Sequence, residues 1–180
     1  MLPYQALRAL ARSGEIAADT ALLDTQVQPA SLDLRLGAVA WRVRASFLPG
    51  ASRTVEERIA DLGLHRFDIS GGAVLEKGCV YIVPLQERLK LPPRVSGIAN
   101  PKSSIGRIDV FVRLITDHGA EFDRVQAQRG EVAIIKFALD DERLEQRLAH
   151  PERDVALRLE VALDRVEDPA GVDPGVVAEH

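Results

Sequence analysis

The sequence predicts a mainly β protein, a compact barrel or sandwich of short strands with one short helix at the N-terminus. Apolar and polar residues alternate in short runs, as at residues 32–36 and 155–163. Glycines and prolines separate these runs at close intervals. Short strands separated by glycine and proline residues favour an all-β fold over a fold built from βαβ units.

The first two elements are a helix and a strand. Residues 4–12 place apolar side chains at helical spacing, and Gly14 follows as a stop signal. Residues 32–36 alternate leucines with Asp33 and Arg35, which predicts a half-buried strand. On this pattern the two charged residues are either solvent-side or a structural ion pair.

The next elements continue the sheet and add a short helix. Residues 40–47 extend the sheet, since every second residue is apolar. Thr54 is expected to cap a helix, because Glu57 stands three residues later and completes a capping box. Residues 73–85 are expected to form a β-hairpin that turns at residues 76–78.

Further strands are predicted at residues 95–99, 110–115 and 130–139. Residues 140–148 are expected to be helical, with two leucines paired across one turn. Apolar residues then alternate through residues 155–163, which predicts one more strand.

Charge divides the chain into two regions. The whole protein has 180 residues and a formal net charge of −4. Residues 138–180 hold 12 acidic residues against five arginines and no aromatic residue, whereas residues 1–137 hold 15 acidic residues, 18 basic residues and all eight aromatic residues. We therefore expect a β domain over 1–137 and a divergent acidic tail of unknown role over 138–180. The weak positive charge of the first region favours an anionic small molecule over nucleic acid as its partner.

Composition also limits the class of protein. A single cysteine excludes a disulfide framework and a multi-thiolate zinc site, and it fits a reducing cytoplasm. No apolar run reaches the roughly 18 residues of a membrane helix, and the first residues lack a signal-peptide pattern. We expect a cytoplasmic protein without a membrane partner.

The segment Asn100-Pro-Lys-Ser-Ser-Ile-Gly-Arg107 carries the most concentrated chemistry. Lys102 can bind phosphate as a point charge, Ser103 and Ser104 add hydroxyl donors, and Arg107 offers a planar fork. The P-loop pattern G-x-x-x-x-G-K-[ST] is absent, so ordinary NTPase chemistry is unsupported. On residue types alone the segment is either a binding loop or a polar turn.

A second polar cluster spans residues 116–123. Asp117, His118, Glu121 and Asp123 are candidate bases or acceptors for a sugar hydroxyl. The sequence lacks H-E-x-x-H and cysteine pairs, so a protein metal site is not expected. One cysteine also cannot supply the P-C-x-x-C pattern of zinc-dependent nucleobase deaminases.

Two motifs resemble the dCTP deaminase family of the dUTPase-like superfamily. Gln28-Pro-Ala-Ser-Leu-Asp-Leu-Arg-Leu-Gly37 is similar to the signature strand near the N-terminus of that family. Lys102-Ser-Ser-Ile-Gly-Arg107 is similar to its Arg-Ser-Ser-x-x-Arg motif, with lysine in the first place. The resemblance is greatest to the N-terminal half of the bacterial two-domain branch and covers roughly residues 2–125.

The resemblance implies a distorted dUTPase-like β-barrel or jelly roll that forms a trimer or pseudo-trimer with nucleotide sites between subunits. It implies zinc-independent hydrolysis of dCTP to dUTP and ammonia, with Mg²⁺ carried by the triphosphate. Lys102 and Ser104 would then bind phosphates, and Ser103 and Arg107 would position the cytosine ring and the attacking water. Asp123 would accept a hydrogen bond from the deoxyribose 3′-hydroxyl.

The chain departs from the family at the general base. The family places a glutamate five residues after a glycine, but counting from Gly130 reaches Ile135. Glu131 is the nearest carboxylate and is our candidate catalytic base. Three hypotheses therefore stand: a dCTP deaminase, a dUTP pyrophosphatase-like hydrolase, and an inactive nucleotide-binding or assembly domain.

Overall fold

The computed structural model describes residues 1–76, 78–107, 110–125, 133–139, 146–148 and 155–163. The helices in these ranges are α1 (Tyr4–Ser13), α2 (Val55–Leu62) and α3 (Ser103–Gly106). The strands are β1 (Ile16–Ala18), β2 (Leu32–Arg35), β3 (Val39–Val43), β4 (Gly63–Asp68), β5 (Ala73–Leu75), β6 (Val80–Pro84), β7 (Glu87–Leu89), β8 (Val95–Pro101), β9 (Val110–Thr116), β10 (Arg124–Val125), β11 (Ala133–Leu139), β12 (Gln146–Leu148) and β13 (Val155–Leu163).

Two antiparallel sheets form the body of the protein. One has the strand order β4-β3-β6-β11-β9 and the other the order β10-β8-β13-β2. Two further pairs, β1 with β7 and β12 with β5, form small sheets. The prediction of a mainly β fold is confirmed.

A shared core joins the two large sheets. Leu34 of β2 and Ala99 of β8 are almost fully buried in the same apolar cluster as Val83 of β6 and Leu114 of β9. Leu7, the one fully buried residue of α1, covers this cluster. Burying one such leucine contributes roughly 2 kcal/mol relative to an exposed position.

The predicted helix signals are present where the sequence places them. Gly14 ends α1 with a positive φ of 86°, a conformation that glycine adopts without steric cost. Thr54 Oγ1 accepts from the Glu57 N–H (3.2 Å), and Glu57 Oε2 accepts from the Thr54 N–H (2.9 Å). This reciprocal pair is the capping box expected at the start of α2.

The hairpin prediction for residues 73–85 is wrong in its pairing. Strands β5 and β6 form at nearly the predicted residues, but β6 is hydrogen-bonded to β3 along one edge and to β11 along the other. No edge of β6 is therefore left for β5, which pairs with β12 instead.

The helix predicted for residues 140–148 is wrong over Gln146–Leu148, which form β12. These residues pair with Leu75, Val74 and Ala73. Pairing with a strand far away in sequence overrides the helical spacing of the two leucines. The remainder of that predicted helix, 140–145, lies outside the described residues.

The strand predicted at residues 155–163 is confirmed as β13, with those bounds. It lies between β8 and β2 and pairs with both, with an irregularity between Val155 and Leu157 on the β2 side. Residues beyond 137 thus contribute a strand to the interior of the four-stranded sheet. The proposed boundary between a β domain and a tail stays a prediction.

Candidate functional site

Strand β2 carries charged side chains into the interior of the protein. Asp33 is 3% exposed and Arg35 is 7% exposed, although both alternate with leucines. The expectation of a half-buried strand is therefore corrected, because all four residues of β2 are buried. Both charged residues are ion-paired, each with a different partner.

Arg35 pairs with Glu87 of β7, which is 1% exposed. The Glu87 carboxylate accepts from the Arg35 N–H (2.7 Å), from Arg35 Nε (2.8 Å) and from Gln26 Nε2 (2.9 Å). Gln26 Nε2 also donates to the backbone oxygen of Asp33 (3.0 Å). This buried network fixes the backbone of β2, and each of its charges has a partner.

Asp33 pairs with the first residue of the candidate phosphate motif. Lys102 Nζ lies 3.0 Å from Asp33 Oδ2, and the two side chains are 33% and 4% exposed respectively. A buried carboxylate thus pairs with a lysine whose side chain is one-third exposed. This contact ties the two sequence motifs together in space.

The motif itself folds into a single helical turn. Lys102 has an extended backbone, and α3 follows at once. The N–H of Ile105 donates to Lys102 O (2.8 Å), and the N–H of Arg107 donates to Ser103 O (3.1 Å). Ser103 and Arg107 are exposed, and Ser104 lies in the same turn.

Asp123 occupies a tightly defined position beside β8 and β9. Its φ of 64° is in the left-handed region, which is uncommon outside glycine. Its N–H donates to Leu114 O (3.0 Å), and its O accepts from the Ala99 N–H (2.8 Å). The carboxylate accepts from the Leu114 N–H at Oδ1 (2.9 Å) and forms an ion pair with Arg113 at Oδ2.

Two of the predicted site segments, Asp123 and the turn at residues 102–107, adjoin the C-terminal end of β8. Asp123 is hydrogen-bonded to Ala99, three residues before Lys102. In an extended strand this separation corresponds to about 10 Å. Glu131 lies outside the described residues, and Ile135 lies in β11, where it pairs with Val83 and Leu114.

Two residues of the second polar cluster, which spans residues 116–123, make structural hydrogen bonds. Asp117 Oδ1 accepts from the Val55 N–H (2.7 Å) at the start of α2. The N–H of His118 donates to Arg53 O (3.0 Å), and His118 Nδ1 lies 3.2 Å from Ala51 O. These contacts bind the segment before α2 to the segment after β9.

A cleft of about 510 Å³ lies elsewhere and contains none of the motif residues. It is lined by Trp41, Thr54, Glu56, Ile59, Ala60, Pro84 and Asp117. The candidate site at the end of β8 is therefore distinct from this cleft.

Neither a metal-binding cluster nor a membrane-spanning helix is present in the part of the chain that the structure describes. No group of three or more His, Cys, Asp or Glu side chains there could hold a metal ion. No helix within those ranges is long and apolar enough to cross a membrane.

The sequence did not identify Asp33 or Arg113 as part of the site. Asp33 is a charged residue in an alternating strand, a pattern that usually indicates a solvated face. Arg113 is the single charged residue of the otherwise mostly apolar strand β9. The one available signal was that Asp33 lies in the signature strand, and nothing local indicated that Lys102 would contact it.

Comparison with known proteins points to one enzyme family. A sequence model of the 2′-deoxycytidine 5′-triphosphate deaminase N-terminal domain matches residues 1–134. The crystal structure of 2′-deoxycytidine 5′-triphosphate deaminase from Agrobacterium tumefaciens is 42% identical, with a TM-score of 0.82. The match covers 90% of this chain and 47% of that one, so the present chain spans about half the length of its relative.

Proposed function

The chain belongs to the 2′-deoxycytidine 5′-triphosphate deaminase family, and from this premise we propose that it binds dCTP and hydrolyses it to dUTP and ammonia. The observation that carries the proposal is that the Lys102–Arg107 turn follows directly on β8, the strand whose Ala99 is hydrogen-bonded to Asp123. Cations and hydroxyls suited to a triphosphate therefore follow the same strand end that contacts a carboxylate suited to a sugar, which supports a nucleotide as the ligand.

Lys102 and Ser104 are proposed to bind the phosphates. The Asp33 carboxylate holds the Lys102 ammonium at 3.0 Å, which supports a fixed cation whose remaining N–H donors can face phosphate oxygens. Mg²⁺ would enter with the substrate, coordinated by triphosphate oxygens, because phosphate oxygens and water are its usual ligands.

Ser103 and Arg107 are proposed to act on the cytosine ring. Both side chains are exposed at the same turn, so they are accessible to a ligand. A hydroxyl and a guanidinium held by the backbone of α3 can orient the ring and stabilise the negative charge that develops during attack by water.

The deamination step needs a proton carrier, and Glu131 is our candidate. Water oxygen would bond to C4 of cytosine while the carboxylate takes a water proton. The C4–N4 bond then breaks, the same proton goes to the departing amine and the second water proton moves from the new C4 hydroxyl to N3, so that dCTP and water give dUTP and ammonia.

We propose that the active form is a trimer or pseudo-trimer in the cytoplasm. Ile98 supports this, because an apolar side chain of β8 is 51% exposed next to the proposed site. A neighbouring subunit would cover it and close the nucleotide site.

The test is an assay of the purified chain with Mg²⁺ and either dCTP or dUTP as substrate, which measures ammonia, dUTP and pyrophosphate. Ammonia and dUTP are expected. Pyrophosphate from dUTP would identify a dUTP pyrophosphatase-like hydrolase instead, and nucleotide binding without turnover would identify an inactive domain. Arg107→Ala should abolish turnover, whereas Arg94→Ala, an equal charge change at an exposed position, should not.

The assignment of Glu131 is tested by Glu131→Gln in the same assay. General acid–base catalysis contributes about 10²- to 10⁴-fold, so kcat should fall by that amount while dCTP binding is retained. Glu121→Gln is the control, since that exposed carboxylate is the alternative base within the chain. Deamination that survives the first change and not the second would transfer the role to Glu121.

A further inference from the structure

Arg113 and Asp123 form an ion pair that the sequence motifs do not include. Arg113 lies in β9, and its Nη1 contacts Asp123 Oδ2. The neighbouring Leu114 N–H donates to Oδ1 of the same carboxylate at 2.9 Å. Two consecutive residues of one strand therefore hold both oxygens of Asp123.

The backbone of Asp123 is fixed independently of its side chain. Its N–H and O are hydrogen-bonded to Leu114 and Ala99, and its φ of 64° belongs to a narrow allowed region. Loss of the Arg113 contact would thus leave Asp123 in place and free only the rotation of its carboxylate.

The carboxylate keeps capacity for a ligand. An ionised carboxylate has about four acceptor positions, and within the described chain two of them are used by Arg113 and Leu114. The Asp123 side chain is 14% exposed, and that of Arg113 is 41% exposed. A small accessible part of the carboxylate therefore faces outward in a defined orientation.

We propose that Arg113 is a positioning residue that orients Asp123 to accept a hydrogen bond from the 3′-hydroxyl of the nucleotide. The inference rests on the proposed function, because it assumes a deoxycytidine nucleotide at the end of β8. The planar guanidinium is suited to this task, since it holds a carboxylate in one plane while a lysine would act only as a point charge.

The experiment measures binding rather than turnover. Dissociation constants of dCTP and of 2′,3′-dideoxycytidine triphosphate, which lacks the 3′-hydroxyl, are determined by calorimetry with Mg²⁺. Wild type should prefer dCTP by about 10- to 100-fold, as expected for a hydrogen bond to a charged group. In Arg113→Met, which keeps the apolar stem, the preference should fall to about threefold or less.

Controls separate positioning from other roles. Arg124→Ala removes an equal charge beside Asp123 and should keep the wild-type preference, because Arg124 pairs with exposed Glu121. Arg113→Lys should restore part of the preference. Asp123→Asn should lose it, and adding Arg113→Met to that variant should lower it no further, since both act on one contact.

Each of the other possible results contradicts one part of this proposal. Equal weakening of both nucleotides in Arg113→Met would mean that Arg113 contacts the ligand directly or supports the fold, and the inference fails. A wild type that binds both nucleotides equally would remove the role of Asp123 while dCTP turnover could still support the proposed function. A wild type that binds neither nucleotide would overturn the proposed function as well.

Discussion

Replacing Glu87 with alanine should destabilise the protein strongly, because it removes the counter-ion of a buried guanidinium. Glu87 and Arg35 are 1% and 7% exposed, and the carboxylate accepts three hydrogen bonds between 2.7 and 2.9 Å. Water cannot readily replace a partner at that depth. Removing one member of a buried ion pair costs about 3–5 kcal/mol.

The magnitude is large relative to the whole protein. A domain of this class unfolds with about 5–15 kcal/mol, so Glu87→Ala should lose a considerable part of that. At this chain length the loss corresponds to a Tm lower by about 6–20 °C. Glu87→Gln should cost about 1–3 kcal/mol, because both carboxylate oxygens accept hydrogen bonds, and in either orientation the amide NH2 group would replace one of them and face the N–H donors of Arg35 or Gln26.

The assay is urea denaturation at fixed protein concentration, with an exposed ion pair of the same strand as the matched control. Arg88 of β7 pairs with Asp19 at 2.7 Å, but these side chains are 55% and 57% exposed. Asp19→Ala should therefore cost about 0–1 kcal/mol. If Glu87→Ala costs no more than Asp19→Ala, the buried network is not a source of stability and the reasoning is refuted.

Two further predictions concern a buried phenol and a helix cap. Burial raises the pKa of the Tyr81 phenol above its ordinary value of 10, so its contribution to stability is present below pH 10 and is lost as pH rises through the higher folded pKa. Tyr81→Phe should cost about 1 kcal/mol at pH 7, because the Glu76 N–H loses its acceptor. The same substitution should flatten the fall in stability above pH 10, whereas Tyr4→Phe, at an exposed position, should leave that fall unchanged. An alkaline slope that is the same in both variants would contradict this. Thr54→Ala should cost about 1 kcal/mol in urea denaturation and Thr54→Ser much less, because serine keeps the hydroxyl that accepts from the Glu57 N–H; equal losses in both would exclude the cap as the cause.

Local features of this protein are predictable because their physics lies within a few residues. Thr54 and Glu57 satisfy each other across one helical turn, and Gly14 adopts a conformation that depends on its own missing side chain. The alternation at residues 155–163 likewise predicts β13 with its observed bounds. The candidate phosphate motif is also contiguous, so its residues could be named from the sequence.

Contacts between distant segments were not predictable in the same way. Asp33 looks solvent-facing beside its leucine neighbours, and only the folded chain brings Lys102 to it. The carboxylate of Asp123 is oriented from another strand by Arg113, which no motif marks. Each of these contacts depends on strand order, and strand order is set by the whole set of pairings.

The sequence by itself determined the mainly β class, the helix caps and the family-like motif at residues 102–107. The tertiary structure decided that β5 pairs with β12, that β13 is inserted between β8 and β2, and that β2 buries two charges. The reason is that strands pair through backbone N–H and C=O groups, which are the same in every strand and do not specify a partner. The partner of each strand edge, and the side chains that the pairing buries, are therefore decided only when all strands of the sheet have paired.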